Sequence, residues 1–203
     1  MRITVIGGSQ GTGARVAALA YAAGHEVTAL SRSGAAPAGV RAVAGDATDP
    51  VLVQGALSGA DAVVVTVGGA KGVRRHRTTV TRSVVQAMQA TGVRRLVVQS
   101  SLGAGDSGSL MPAPLRVLMK TVLAAPLADH DDQEVAVMRS GLDWTIVRPT
   151  GLTDKPATGS TRALQVGQKG RLGGTISRDD LAAYLLHVLE DGALISTAVG
   201  VSG

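Results

Sequence analysis

Short apolar runs alternate along this chain with longer segments in which apolar residues recur every three or four positions. The first run begins at Arg2 and is rich in β-branched residues, which predicts a buried parallel strand. A glycine-rich turn follows, and the next segment predicts a helix with Val16, Leu19 and Ala20 on one face and Gly24 at its end. A strand, a glycine turn and a helix in this order begin an alternating α/β fold.

The same reasoning extends to the rest of the chain. Further strands are predicted at Glu26–Leu30, Val40–Ala44, Asp61–Val67, Arg94–Gln99, Asp143–Val147, Arg162–Val166 and Ser196–Val201. Further helices are predicted from Pro50 to Leu57, from Thr78 to Gly92, and over Leu115–Ala124, Asp129–Ser140 and Leu181–Leu189. The 203 residues therefore predict a single α/β domain over residues 1–203, a Rossmann-type doubly wound parallel sheet.

The turn after the first strand holds four glycines within seven residues, Gly7, Gly8, Gly11 and Gly13. Glycine lets the backbone turn sharply and approach a pyrophosphate, whose charge is stabilised by free N–H groups and the positive end of the helix. The turn therefore predicts a dinucleotide site. An ordinary strand-to-helix turn is the alternative.

The second strand is followed by an arginine, Arg32, about 20 residues after the last glycine, where this fold positions its ribose-reading side chain. A carboxylate there would repel a 2′-phosphate, whereas a guanidinium pairs with it. Arg32 therefore favours NADP(H) over NAD(H). A solvated surface arginine is the alternative.

Hydroxyl side chains follow a predicted central strand. Ser100 and Ser101 come directly after Arg94–Gln99, at the carboxyl edge of the sheet where ligands of α/β proteins bind. They are expected to point at the nicotinamide half of the site, with capping of the strand end as the alternative. Arg148 and Pro149 end another strand at the same edge.

Other segments suggest chemistry but have plainer interpretations. The basic cluster Arg74–Arg77 predicts a solvated loop, with phosphate contact as the alternative. The acidic run Asp129–Asp132 predicts the first turn of a helix, matched to the helix dipole, and no metal site. Trp144 is expected in the core, with stacking against the cofactor as the alternative. The loop Gly103–Pro114 is long enough to form a lid or a pocket wall.

Composition narrows the class of partner. The chain has no cysteine, which excludes disulfides and thiolate metal sites and favours the cytoplasm. Its net charge is +5, but the basic residues are dispersed and aromatic residues make up only 1%, so a polyanionic small molecule is expected rather than nucleic acid. The first strand begins at residue 2 and no apolar run reaches membrane-spanning length, so we expect neither a signal peptide nor a membrane partner.

Several segments together resemble one superfamily. They are AGHEVTALSR, GDATD, GADAVVVTVG, SGLDWTIVRP and ISRDDLA. With the glycine turn and the serine pair, they make almost the whole chain similar to the atypical short-chain dehydrogenase/reductases, in particular the NmrA-like group and the biliverdin-IXβ/flavin reductases.

The resemblance implies roles for individual positions. It places the pyrophosphate against Gly7, Ser9, Gln10, Gly11, Thr12 and Gly13. It assigns the 2′-phosphate to Arg32, the adenine to Asp46 and Ala47, and the ribose to Val67 and Gly68. On the nicotinamide side it points to Ser100, Pro149 and Thr150 as cofactor contacts and to Ser101 and His130 as catalytic residues.

The chain also departs from its relatives. Gln10 stands where the family turn has a glycine, and Gly151 stands where the flavin reductases have a second pocket histidine. The Tyr-x-x-x-Lys pair of tyrosine-dependent members is missing, since Tyr184 has no lysine four residues later. The missing pair disfavours a tyrosine-dependent alcohol dehydrogenase, although the spacing of Gly7, Gly11 and Gly13 resembles that of the tyrosine-dependent members. Gly151 leaves open whether the substrate preference of the flavin reductases carries over.

The resemblance implies an NADPH-dependent oxidoreductase that transfers hydride to a planar acceptor, such as a flavin, a quinone or a tetrapyrrole. In this hypothesis Ser101 holds the carboxamide or the acceptor and His130 helps to supply a proton. The alternative is a non-catalytic NADP(H)-binding redox sensor resembling NmrA, which acts through a protein partner. An epimerase of nucleotide-linked sugars is disfavoured, because the C-terminal part is short for a substrate domain.

Overall fold

The computed structural model describes residues 1–70 and 72–203, without the side chain of Lys120. The strands are β1 Arg2–Ile6, β2 Glu26–Ser31, β3 Arg41–Ala44, β4 Ala62–Val65, β5 Arg95–Gln99, β6 Asp143–Pro149, β7 Gly151–Thr153, β8 Arg162–Gln165, β9 Thr175–Ser177 and β10 Thr197–Ser202. The helices are α1 Gly11–Ala22, α2 Pro50–Ala56, α3 His76–Thr91, α4 Ala113–Val122, α5 Ala124–Met138 and α6 Arg178–Glu190, with short 3-10 turns at Ser107–Leu110 and Gly192–Leu194.

Eight strands form one sheet in the order β3-β2-β1-β4-β5-β6-β10-β8. Neighbouring strands are parallel except for the antiparallel pair β10 and β8, and β7 pairs with β9 in a small separate sheet. This topology confirms the predicted single-domain Rossmann-type α/β fold. The chain moves outward from β1 to β3 and then returns to β4, so the strand order reverses between β1 and β4, and ligands of such sheets bind at that reversal.

Apolar layers cover both faces of the sheet. On one face Leu57, Met88 and Ile146 belong to a buried cluster with α2, α3 and α5. On the other face Val16 and Leu181 belong to a cluster with α1 and α6. The core consists of Val, Leu, Ile, Ala and Met side chains, since the chain has no phenylalanine. Full burial of one of the larger of these side chains contributes about 1.5–3 kcal/mol to the free energy of unfolding.

Helix α1 differs from its predicted pattern at one position. Its buried side chains include Val16, Ala17 and Ala20, as expected for a narrow contact with the sheet and α6. Leu19 is 39% exposed, so its predicted place on the same face is wrong. The buried stripe passes through residues 13, 17 and 20, and Leu19 lies outside it.

Helix α5 begins five residues earlier than predicted, at Ala124 instead of Asp129. Pro126 lies in its first turn, where the missing N–H of proline costs no intrahelical hydrogen bond. The acidic run therefore lies beyond the first turn, which holds no acidic residue, and the predicted match to the helix dipole is wrong. Trp144 is half-buried and packs against the core, as predicted.

Candidate functional site

A groove of about 660 Å³ opens at the carboxyl edge of the sheet, where the strand order reverses. Most of the residues predicted to contact the cofactor lie along it. They are Gly7, Ser9, Gln10, Gly11, Thr12, Arg32, Asp46, Ala47, Val67 and Gly68.

The glycine turn fits an anion. Gly7 and Gly11 have φ angles of 87° and 57°, a conformation that disfavours other residues. Gln10 precedes α1 without a side-chain hydrogen bond to the helix, whose first turn also holds no acidic residue. The N–H groups of that turn thus remain available for a pyrophosphate. In the part of the chain that the structure describes, a Cβ added to Gly11 would meet only the Arg178 side chain, at 3.8 Å, so the turn is open toward the groove.

Gly13 is buried and lies behind this surface. A Cβ added at Gly13 would overlap the carbonyl oxygen of Gly7 and the hydroxyl of Thr66. The Thr66 hydroxyl in turn donates to the Ile6 carbonyl, 3.1 Å away. Gly13 therefore lets the start of α1 pack directly against the ends of β1 and β4, which sets the position of the whole turn.

Side chains of opposite charge, Arg32 and Asp46, line the groove near the residues predicted to contact the adenosine. Arg32 is exposed and forms no ion pair with a described residue. Asp46 accepts a hydrogen bond from the Thr48 N–H at 2.9 Å, and this bond lowers the pKa of the Asp46 carboxyl. Asp46 is therefore ionised at neutral pH, while the guanidinium of Arg32 remains available for a phosphate.

The groove also contains a side chain that was not predicted as a site residue. Gln99, the last residue of β5, lines the groove, and its Oε1 atom is buried without a hydrogen-bond partner among the described residues. A buried amide oxygen without a donor costs about 1–3 kcal/mol, so this position favours a ligand that brings an N–H group. Its place at a strand end on the ligand edge was the only signal in the sequence.

The residues predicted for the nicotinamide side lie beside the groove but do not line it. The Ser100 hydroxyl is buried and donates to Glu134 Oε1 at 2.6 Å, with His130 Nδ1 3.5 Å away. Ser101 is half-buried, and its hydroxyl donates a hydrogen bond to the Leu102 carbonyl at 3.3 Å. Pro149 ends β6, and the buried Thr150 hydroxyl has no hydrogen-bond partner among the described residues.

A buried ion pair organises this cluster. Arg148 contacts both carboxylate oxygens of Glu134, with distances of 2.9 Å from Nε and 2.7 Å from Nη2, and the side chains are 3% and 1% exposed. Burial would lower the pKa of Arg148, but the carboxylates of Glu134 and Asp106 together outweigh it and raise that pKa. Arg148 also contacts Asp106 at 2.7 Å, so the pair joins α5, β6 and the loop after β5.

That loop is less open than the predicted lid. It contains the 3-10 turn Ser107–Leu110, and Leu110 and Met111 are buried against Leu102 and Leu172. It forms a packed wall that contacts the buried Arg148 through Asp106.

His130 is neutral in this environment. Burial and the Arg77 cation lower the pKa of His130 to about 4. Its Nδ1 lies 3.2 Å from Gln133 Oε1, while Gln133 Nε2 donates to the Thr81 hydroxyl. This arrangement assigns the imidazole proton to Nδ1 and leaves Nε2 as an acceptor.

Asp129 has a structural role that the sequence did not indicate. Its carboxylate accepts the backbone N–H groups of Arg77 and Thr78, at 3.1 and 3.0 Å, and so caps the start of α3 from another helix. Burial would raise the pKa of Asp129, but these hydrogen bonds outweigh it and lower that pKa. No group of three or more potential metal ligands occurs among the described residues.

The basic cluster is only partly the predicted solvated loop. Arg74 and Arg75 are exposed, but His76 lines the groove and Arg77 is mostly buried against Asp129. His76 and Arg77 belong to the helix and not to the loop, because α3 begins at His76, two residues earlier than predicted.

Comparison with known proteins agrees with this geometry. Residues 7–192 match a family model described as NAD(P)H-binding. An uncharacterized sugar epimerase of Bacillus subtilis, YhfK, is 26% identical over 94% of this chain and 89% of its own length. In the described ranges, no helix is both long enough and apolar enough to span a membrane.

Two solved structures are similar over the full chain. ChuY, an anaerobillin reductase from Escherichia coli O157:H7, is 26% identical, has a TM-score of 0.82 and is covered over 97% of its chain. A short-chain dehydrogenase/reductase from Veillonella parvula, solved in complex with NADP, is 19% identical, has a TM-score of 0.84 and is covered over 94% of its chain.

These findings confirm the resemblance and the cofactor class predicted from the sequence. The chain belongs to the NAD(P)H-binding family and has the oxidoreductase fold of the atypical short-chain dehydrogenase/reductases.

Proposed function

We propose that the protein is an NADPH-dependent reductase that transfers hydride to a planar acceptor such as a flavin, a quinone or a tetrapyrrole. The observation that carries this proposal is the groove itself, which is lined by the open glycine turn, by Arg32 and by Gln99, whose amide oxygen has no hydrogen-bond partner among the described residues. The bound cofactor supplies the hydride.

Arg32 is the proposed reader of the 2′-phosphate. It is exposed on the groove and forms no ion pair with a described residue, so binding a phosphate does not require breaking an existing pair. The glycine turn binds the pyrophosphate, and Asp46, Ala47, Val67 and Gly68 contact the adenosine.

The nicotinamide side orients the reactants rather than supplying a strong acid. Gln99 can accept a hydrogen bond from the carboxamide, while Ser100, Pro149 and Thr150 lie beside the groove and support this side of it. Ser101 offers a hydroxyl to the carboxamide or the acceptor. His130 is neutral at pH 7, so its role is to keep its proton on Nδ1 and to accept a hydrogen bond at Nε2, not to act as an imidazolium acid.

A planar acceptor suits a site whose polar groups are an amide, a hydroxyl and a neutral imidazole. Hydride transfer to an extended conjugated ring needs orientation and exclusion of water more than strong acid catalysis. The similarity to ChuY favours the tetrapyrrole-like acceptors within this class.

The cytoplasm remains the predicted location, and fractionation of cells that produce the protein tests it.

The experiment is steady-state oxidation of NADPH with a panel of acceptors: FMN, a soluble quinone and a linear tetrapyrrole. We expect turnover with at least one acceptor and slower turnover with NADH. If micromolar protein binds NADPH but gives no turnover with any acceptor, the reductase proposal is wrong.

One observation favours the alternative of a redox sensor that acts through a protein partner. Burial keeps His130 neutral, so this cluster presents no protonated imidazole at neutral pH. Tight NADPH binding without turnover would support the sensor, whereas rapid consumption of NADPH would exclude it.

A further inference from the structure

Arg178, the first residue of α6, lies over the glycine turn although it is 167 residues from Gly11 in sequence. Among the described residues, its Nε atom is the only neighbour that a Cβ on Gly11 would meet within 4 Å, and Arg178 lines the groove. Because α1 and α6 pack against each other, their amino-terminal ends lie together at the carboxyl edge of the sheet. A cation thus stands beside the predicted pyrophosphate position.

The guanidinium of Arg178 forms an ion pair with Asp154 but retains further hydrogen-bond donors. Its side chain is 25% exposed, and its Nη1 lies 2.9 Å from Asp154. A guanidinium carries five N–H donors on three nitrogens, and the contact with Asp154 engages one of those nitrogens. The remaining donors are available to an anion in the groove.

Arg15 differs from Arg178 in this respect. Its Nε contacts Asp179 at 2.8 Å, its Nη1 donates to the Gly11 carbonyl, and its Nη2 lies 3.2 Å from Asp154. All three of its nitrogens are therefore engaged by the protein. Arg15 supports the turn and Asp154, and Arg178 is left as the side chain that can take a ligand.

We propose that Arg178 binds the pyrophosphate of the cofactor and is positioned for this by Asp154. The contact would place a cation on the pyrophosphate from the side opposite the N–H groups of the glycine turn. The inference rests on the groove being the NAD(P)H site, but it does not depend on which acceptor is reduced.

The pyrophosphate is common to NADPH and NADH, and this property separates Arg178 from Arg32. Loss of Arg178 must weaken both dinucleotides by the same factor, whereas loss of Arg32 must weaken NADPH alone. A fragment such as 2′-AMP has the 2′-phosphate but no pyrophosphate, so it must bind independently of Arg178.

The experiment is calorimetric titration of wild type and Arg178→Gln with NADPH, NADH and 2′-AMP. We expect Arg178→Gln to weaken NADPH and NADH by an equal factor of about 10 to 100, as for a lost charge-assisted hydrogen bond, and to leave 2′-AMP unchanged. Arg94→Gln is the matched control. It removes the same charge from an exposed pair with Asp143 at the opposite edge of the sheet and should leave all three affinities unchanged.

Three results would overturn the proposal. Wild-type affinity of Arg178→Gln for both dinucleotides shows that Arg178 does not bind the pyrophosphate. An equal loss for all three ligands shows general damage to the groove instead of a pyrophosphate contact. If wild type itself binds neither dinucleotide, the groove is not the cofactor site, and the proposed function fails together with the role of Arg178.

Discussion

The guanidinium of Arg148 and the carboxylate of Glu134 form a two-contact ion pair that is almost completely withdrawn from solvent. The pair connects the end of β6 to the middle of α5, and the Ser100 hydroxyl donates to the same carboxylate. It therefore holds together α5, β6 and the wall formed by the loop after β5, so we expect its loss to lower the stability of the fold.

Removing one member of this pair leaves the other buried without its counter-charge. We expect Glu134→Gln to lower the free energy of unfolding by about 3 kcal/mol. In the double variant Glu134→Met, Arg148→Met, most of that loss should be recovered, because two apolar side chains replace both charges. Urea unfolding measures both values.

The matched control is Asp143→Asn, which removes one member of the exposed pair with Arg94. Asp143→Asn should lower the free energy of unfolding by less than about 1 kcal/mol. If Glu134→Gln costs no more than this control, the buried pair does not stabilise the wall.

Arg32 is predicted to discriminate between the two dinucleotides. We expect Arg32→Gln to weaken NADPH binding by about 1.5–3 kcal/mol, the range for a hydrogen bond to a charged group, and to leave NADH binding unchanged. Calorimetric titration with both dinucleotides measures the difference. Equal losses for NADPH and NADH would refute contact with the 2′-phosphate.

Gly13 is predicted to be intolerant of any side chain. A methyl group at this position overlaps backbone and side-chain oxygens, so Gly13→Ala should lower the free energy of unfolding by about 2 kcal/mol and abolish NADPH binding. Gly55 lies in α2 with open space around it, so Gly55→Ala should instead stabilise by about 0.5–1 kcal/mol. Chemical unfolding of both variants checks the contrast, and equal effects would contradict the close packing at Gly13.

His130 predicts a pH dependence of stability. Its pKa is about 4 in the folded protein and 6.5 in the unfolded chain, so the unfolded state binds the extra proton between these values. Stability is therefore fully present above pH 6.5 and falls as the pH drops toward 4, by about 3 kcal/mol in total.

His130→Gln should remove this loss, which is measured by urea unfolding at pH 4.5 and 7. His187 is exposed, so His187→Gln should retain the wild-type dependence. The same pH dependence in His130→Gln and in wild type would show that this imidazole is not held neutral.

Local patterns predicted the parts of the fold that depend on neighbouring residues. The helical spacing of Val80, Val84 and Met88 and the left-handed Gly92 at the end of α3 occur as expected. Most of the predicted cofactor residues come together for the same reason, since the glycine turn and the strand ends of a parallel sheet converge at one edge.

Contacts between distant segments could not be predicted in this way. No local signal relates Asp129 to the start of α3, or Arg178 to Gly11, because each contact depends on how two helices pack. The serine pair was placed at the correct edge, but the buried Glu134 draws Ser100 away from the groove.

The central claim is that the groove at the glycine turn binds NADPH. Hydrogen–deuterium exchange with and without NADPH tests it most directly. We predict slower exchange in residues 7–13, 31–33 and 45–47, and no change around the second cavity of about 340 Å³ near Tyr21 and His25. Unchanged exchange in residues 7–13 at saturating NADPH, or protection confined to the second cavity, would contradict the account.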